Sequence, residues 1–272
     1  MHFLKSLIFV QEMAKNYTYA KGAEYPYQYK YEHMAVTTDC VIFTYEERTL
    51  KVLLIRRGLE PFKGEWAFPG GFLRMNETAN EGALRELREE TALEASAIRE
   101  LGVFSGVNRD PRERVITIAY YALIKPSNVT GGDDADEAAW FPIDNLPKLA
   151  FDHQTIFDAA MEKLRRDIHF EPVGFDLLDD AFTIPDLQRL YEIILGTKFD
   201  RRNFQRKVLS SGILEEIPEP EEEESVLFAS VLPELDDYQI SVKKRPGRKA
   251  SQFRLNKAKY IKLKEDESKF DL

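Results

Sequence analysis

The chain has 272 residues, 43% hydrophobic and 12% aromatic, which suits one large or two ordinary globular domains. Its net charge of -9 is uneven: residues 198–207 carry five basic side chains against Asp200, and residues 243–264 carry ten basic and no acidic ones. A basic C-terminal region on an acidic protein points to nucleic acid before membrane. The apolar patch within residues 3–10 is too short to span a bilayer and lacks a cleavage pattern, so no membrane partner is expected.

Residues 1–34 form an N-terminal stretch with alternating tyrosines, Tyr17, Tyr19, Tyr25, Tyr27, Tyr29 and Tyr31, suited to an edge strand or to an arm over a partner subunit. Strands are expected over 34–44 and 49–56, joined by a polar Tyr-Glu-Glu-Arg turn. Cys40, the single cysteine, reads as a buried small hydrophobe; it allows no internal disulfide and fits a reducing cytoplasm. His2, His33, His153 and His169 are too scattered for a zinc site and receive no chemistry. Arg56 and Arg57 end the second strand, either as solvated charges or as contacts for an anionic substrate.

Pro69-Gly70-Gly71 reads as a turn, and Thr78 with Glu81 as the capping box of a helix. Leu84, Leu87 and Thr91 share a face that should pack inward. Glu86, Glu89 and Glu90 share another arc with no lysine in it. Carboxylates ~6 Å apart repel by roughly 3 kcal/mol per pair at an effective dielectric of ~20. A hard divalent ion, Mg²⁺ or Mn²⁺, would turn that repulsion into a binding site; the alternative is a solvated acidic face.

The stretch from Gly71 to Leu93 resembles the Nudix box: a glycine, five residues, Glu77, seven residues, Arg85-Glu86, an apolar residue, one more, Glu89-Glu90, one more, a glycine and an apolar residue. Ala92 stands where the family has the second glycine, a change that should affect only how the helix ends. The resemblance implies a mixed-sheet α/β/α sandwich. It also implies that Glu86, Glu89 and Glu90, with Gly71, hold the metal for catalysis, while Glu77 and Arg85 brace the loop.

Further strands are expected over 98–107, 115–124 and 138–143, then an amphipathic helix over 151–167. Pro111, in the loop between the first two, loosely matches a proline of family members that cleave ADP-ribose and is kept as a substrate contact. The loop 131–137 offers Glu137 or Asp134 to orient water, or is simply acidic and solvated. Residues 35–170 thus form one domain and 171–272 another, joined through a short Pro- and Gly-punctuated linker.

In the second domain, Thr183 should cap a helix that ends before Gly196, and Asp200 a second helix from Arg201. Phe204 and Val208 face inward, leaving Arg201, Arg202, Gln205, Arg206 and Lys207 for DNA. Strands over 226–232 and 251–255 would make a hairpin whose basic tip holds Lys244, Arg245, Arg248 and Lys249. This half resembles the winged helix of Nudix-related transcriptional regulators, so the whole is expected to be α+β, a Nudix domain followed by a winged helix-turn-helix. Three readings follow: a Mg-dependent hydrolase of a nucleotide-sugar type small molecule such as ADP-ribose, a non-catalytic ligand-sensing repressor, or both activities in one ligand-responsive regulator. The third fits best, because the box glutamates are kept and a plain hydrolase has no use for the last hundred residues, unless they serve a protein partner. Double-stranded DNA read at symmetric sites implies a homodimer.

Overall fold

The computed structural model describes residues 31–132, 135–218 and 251–265. The tyrosine-rich stretch up to Lys30, Asp134, the expected strand over 226–232 and the basic tip with Lys244, Arg245, Arg248 and Lys249 lie outside the described residues.

A seven-stranded mixed sheet is built on β1 (Ala35–Glu46). β1 turns through Glu47 and Arg48, both at positive φ, into antiparallel β2 (Thr49–Arg57), and runs parallel to β6 (Val115–Leu123). β3 (Trp66–Ala67) and β7 (Ala135–Pro142) pair with β2, β4 (Gly70–Phe72) with β1, and β5 (Arg99–Phe104) with β6. β1 is buried from Val36's neighbour Thr37 through Thr44 without a polar alternation, because both sheet faces are covered. Cys40 and Ile42 pack with Ala83 and Leu87 of helix α1 (Ala79–Thr91); Val41 and Phe43 pack with Ile156, Phe157 and Ala160 of α2 (His153–Phe170). The period of two along one strand therefore feeds two helical layers.

Pro69-Gly70-Gly71 is not only a turn. Gly70 and Gly71 form β4 against Asp39 and Thr38 of β1, where a side chain on Gly70 would strike the Thr38 carbonyl. Their lack of Cβ atoms lets two backbones and a helix approach closely, so glycine here permits a strand. The segment after α2 is likewise not a bare linker. Val173–Leu177 coils into a 3-10 turn whose Val173, Phe175 and Leu177 join the core shared with α2 and the C-terminal helices.

The C-terminal half runs β8 (Phe182–Thr183), α3 (Ile184–Leu195), α4 (Arg201–Ser210), β9 (Leu214–Ile217), β10 (Gln252–Leu255) and α5 (Lys257–Glu265). Thr183 and Asp186 make a capping box, Gly196 closes α3 at φ 65°, and Asp200 accepts from the Asn203 N–H to start α4. β10 pairs with β9 and β8, so Leu214–Ile217 is a partner of 252–255; residues 226–232, expected in that place, lie outside the described residues. The nearer segment, directly after α4, alternates half-buried Leu214 and Ile217 around exposed glutamates and was hidden by its charge. Arg165 of α2 donates to the Ile194 carbonyl at 3.0 Å, tying the end of α3 to the first half.

Candidate active site and DNA-binding face

Arg85 organises the box. It pairs with Glu77 in two bonds, Nε to Oε2 at 2.9 Å and Nη2 to Oε1 at 2.6 Å, and its Nη2 also donates to the Phe72 carbonyl at 3.2 Å. Glu77 additionally accepts from the Arg74 N–H at 2.8 Å, and these bonds, Arg85's first, hold its carboxyl down to about 2. The same Arg85 offsets the repulsion in the acidic arc: Nη1 reaches Glu86 at 2.6 Å and Glu89 at 3.0 Å. The offset therefore comes from a neighbouring arginine and not from any lysine.

Glu90 is only 5% exposed and accepts from the Gly70 N–H at 2.8 Å. Burial pushes its carboxyl up to about 8, against the Gly70 bond and aided by Glu86 and Asp39. Glu86 is also raised, first by burial. Gly71 lies directly under Glu86, whose Oε1 is 2.5 Å from where a Cβ would stand. The helix ends at Ala92 in the left-handed region, φ 57°, its N–H bonded to the Arg88 carbonyl, so alanine adopts the cap geometry that glycine favours and no carboxylate is disturbed.

These carboxylates open into a cavity of about 360 Å³. Of the residues singled out from sequence, Gly71, Arg85, Glu86, Glu89, Glu90 and Arg57 line it. Glu77 stands behind Arg85. Arg56, Pro111 and Glu137 are not in the lining: Arg56 donates to the Gly64 carbonyl at 3.2 Å, and Glu137 sits opposite it on β7 with an exposed side chain. The strand parity that points Arg57 inward turns Arg56 and Glu137 away. Around Pro111, its neighbours Arg109, Asp110 and Arg112 reach the cavity instead.

Sequence reasoning missed the opposite wall. Arg109 is buried and bonds Asp152 through Nε at 3.0 Å and Nη2 at 2.8 Å, with Asp39 3.5 Å from Nη2. His153, set aside as isolated, is buried beside them; its Nδ1 accepts from the Phe68 N–H at 2.9 Å, and Nε2 lies 3.6 Å from Asp39. Burial lowers its pKa, so it is neutral, with the proton on the nitrogen facing Asp39. Strand β1, the loop after β5 and the start of α2 supply these residues from positions 39, 109 and 152–153, a separation that local periodicity does not signal.

In the C-terminal half, α4 buries Phe204 and Val208 and exposes Arg201, Arg202, Gln205, Arg206 and Lys207. Phe204 packs on Tyr191 of α3 and on Phe199 at centroid distances of 5.8 and 5.6 Å. Glu192 fastens the turn between the helices, accepting from Gln188, Lys198 and the Phe199 N–H at 2.9–3.0 Å.

The NUDIX domain family model matches residues 33–160, and that of the NrtR DNA-binding winged helix domain matches residues 174–229. The ADPR responsive transcriptional repressor NtrR of Acinetobacter baylyi is 31% identical over 191 residues, 68% of this chain and 76% of that protein. The chain belongs to the Nudix family, in its winged-helix branch. The ADP-ribose pyrophosphatase of Methanocaldococcus jannaschii is 46% identical over 131 residues, 48% of this chain and 75% of that one. Among solved structures, Shewanella oneidensis NrtR complexed with a 27mer DNA matches with a TM-score of 0.61 at 28% identity, covering 83% of this chain and 95% of that chain. A MutT/nudix family protein from Enterococcus faecalis matches at 0.66 and 31% identity, covering 79% and 90%. Both Nudix and winged-helix halves are therefore matched together as well as separately, and α4 is the second helix of a winged helix-turn-helix. Among the described residues no helix is long and apolar enough to cross a membrane.

Proposed function

We propose that the chain is a pyrophosphohydrolase of nucleoside diphosphates joined to a second group, with ADP-ribose the favoured substrate, and that the same ligand sets the DNA affinity of its winged helix. The observation that carries the reading is the intact box: Arg85 fixed by Glu77, and Glu86, Glu89 and Glu90 facing one cavity. The two curated relatives, an ADP-ribose pyrophosphatase and an ADPR-responsive repressor, support the substrate and the regulation respectively.

Glu86, Glu89 and Glu90 would hold magnesium or manganese. Their hard oxygen donors fit such an ion, and a buried carboxyl raised to about 8 fits a site lacking its countercharge. Among the described residues no three such groups stand as a ready metal centre, and Arg85 Nη1 engages both Glu86 and Glu89, so a metal there would compete with that arginine for them. A divalent cation bound there supplies a Lewis acid for a phosphoryl oxygen and neutralises the diphosphate. The chain's own part is to hold that geometry: the Gly70 N–H fixes Glu90, and the Glu77–Arg85 pair fixes the loop against α1. Water adds to one phosphorus as the bridging P–O bond breaks, so ADP-ribose and water give AMP and ribose 5-phosphate.

Arg201, Arg202, Gln205, Arg206 and Lys207 present an exposed basic helix to double-stranded DNA. A symmetric operator calls for a homodimer, and a DNA partner fits a cytoplasmic protein. Lys244, Arg245, Arg248 and Lys249 lie outside the described residues; their positive charge would add to the attraction for DNA. Glu137 is set aside as the water-orienting group because its exposed side chain is not in the cavity lining. The test is a metal-dependent hydrolysis screen over nucleotide diphosphates beside a gel shift with the DNA upstream of the protein's own gene. Turnover of ADP-ribose and a shifted band support both halves; absence of turnover leaves a sensing repressor, and absence of a shift removes the regulator.

A further inference from the structure

Glu90 is held by a backbone group, and that group follows a segment with no regular structure of its own. Phe68 and Pro69 cross from β3 to β4, and the Gly70 N–H that donates to Glu90 comes next. The crossing is tied on both sides. The Cys40 N–H donates to the Pro69 carbonyl and the Ala150 N–H to the Trp66 carbonyl, each at 2.8 Å. Between these ties the Phe68 N–H finds a side chain as its acceptor, Nδ1 of His153 at 2.9 Å. The imidazole also stacks on the Phe68 ring, 5.4 Å between centres and 12° from parallel. One histidine therefore holds both the ring and the N–H of Phe68.

That hold depends on how α2 begins. His153 is its first residue and is 3% exposed. Asp152 stands at the N-cap, yet its carboxylate makes no cap bond; Arg109 takes both oxygens, at 3.0 and 2.8 Å. A capping side chain given over to a buried arginine breaks a local rule, and such breaks gather at functional sites. Burial keeps the imidazole neutral, and with Asp39 facing Nε2 the bare lone pair is on Nδ1, where the Phe68 N–H meets it. Without that acceptor a buried N–H is left unpaired, a cost that favours a shift of the crossing.

We propose that His153 is a positioning residue for the metal site: through the Phe68 N–H it sets the segment whose Gly70 N–H aims Glu90. This rests on the reading of the box glutamates as metal ligands. His153 acts through the backbone between Phe68 and Gly70 and holds no metal itself. Groups that orient a ligand from behind carry about ten- to a hundredfold in metal affinity.

The experiment measures manganese binding to the full chain without nucleotide, from the electron paramagnetic resonance signal of the free ion. His153→Leu roughly keeps the volume and loses the acceptor, and is expected to weaken binding about tenfold. His153→Asn leaves the larger void, but its amide oxygen stands near the place of Nδ1 and is expected to keep affinity within about threefold of the wild type. Packing alone gives the opposite order. A thermal melt checks that each variant is folded; where the leucine variant is not, His153→Gln, whose amide extends past Phe68 toward Asp39, replaces it with the same expectation. Folded variants that all bind as the wild type does, or an asparagine variant no stronger than the leucine or glutamine one, overturn the role of His153. A wild type that binds no manganese overturns the metal site on which that role rests.

Discussion

Helices α1 and α4 are both short, charged and side-chain capped, and they use their charge in opposite ways. On α1, Arg85 is shared among Glu77, Glu86, Glu89 and a backbone carbonyl, and Glu90 is buried. On α4, among the described residues, Arg206 bonds its neighbour Asn203 at 2.9 Å, and Arg201, Arg202 and Lys207 form no ion pair. Phe204 and Val208 are the buried side chains of that helix. Site chemistry needs groups held still at a wall of the core; reading a polyanion needs reach and unspent charge. The two helices should therefore fail differently when altered.

The largest effect is expected on α1. Glu90→Gln should lower ADP-ribose turnover by about a thousandfold, since several kcal/mol of charge stabilisation go with it, while leaving DNA affinity unchanged. A steady-state assay showing near-wild-type turnover would end the role given to the arc. Next comes the buried network behind the cavity. Arg109→Met strands Asp39 and Asp152, and should destabilise the protein by about 3 kcal/mol in urea unfolding; an unchanged midpoint would show that the pair carries no net stabilisation.

On α4 the effect is smaller and confined to DNA. Arg202→Ala should weaken binding by roughly tenfold at low salt and reduce the salt slope by about 0.9, with hydrolysis untouched. An unchanged slope in a fluorescence titration would move Arg202 off the phosphate backbone. Smaller again, Ala92→Gly should stabilise by about 1 kcal/mol, a melting rise of about 2 °C, because glycine meets no penalty at φ 57°. Its turnover should equal that of the parent chain.

The smallest effect is on pH. Gln188, then Lys198 and the Phe199 N–H, hold the Glu192 carboxyl down to about 2. The folded value lies below the unfolded one, so this stabilisation is full above about 4.3 and is lost as pH falls toward 2. Glu192→Gln should flatten the acid-unfolding curve of the winged helix over that window. A near-UV titration with the same curve for both proteins would contradict it.

Residues that act within one element were legible in the sequence. The capping boxes at Thr78 and Thr183, the Asp200 cap, the inward Phe204 and Val208, and the carboxylate arc all follow from spacing along a helix. What was not legible depends on distant segments meeting. Asp39, Arg109 and His153 carry no shared period and converge only because β1, the loop after β5 and the start of α2 meet at one place. The reading of 70–71 as a turn failed for a related reason: a glycine pair looks like a break until the strand it lies against is known. The sheet likewise decides between adjacent residues, sending Arg57 to the cavity and Arg56 away from it.

The most direct test joins the two helices in one titration. DNA affinity of Glu89→Gln, in which ADP-ribose survives, is measured over a salt series with and without that ligand. ADP-ribose is expected to weaken DNA binding by at least about fivefold at every salt concentration, the scale of an ordinary coupling energy. Equal affinity in its presence and absence would contradict a ligand-responsive regulator, and no binding at the lowest salt would contradict a DNA-binding protein altogether.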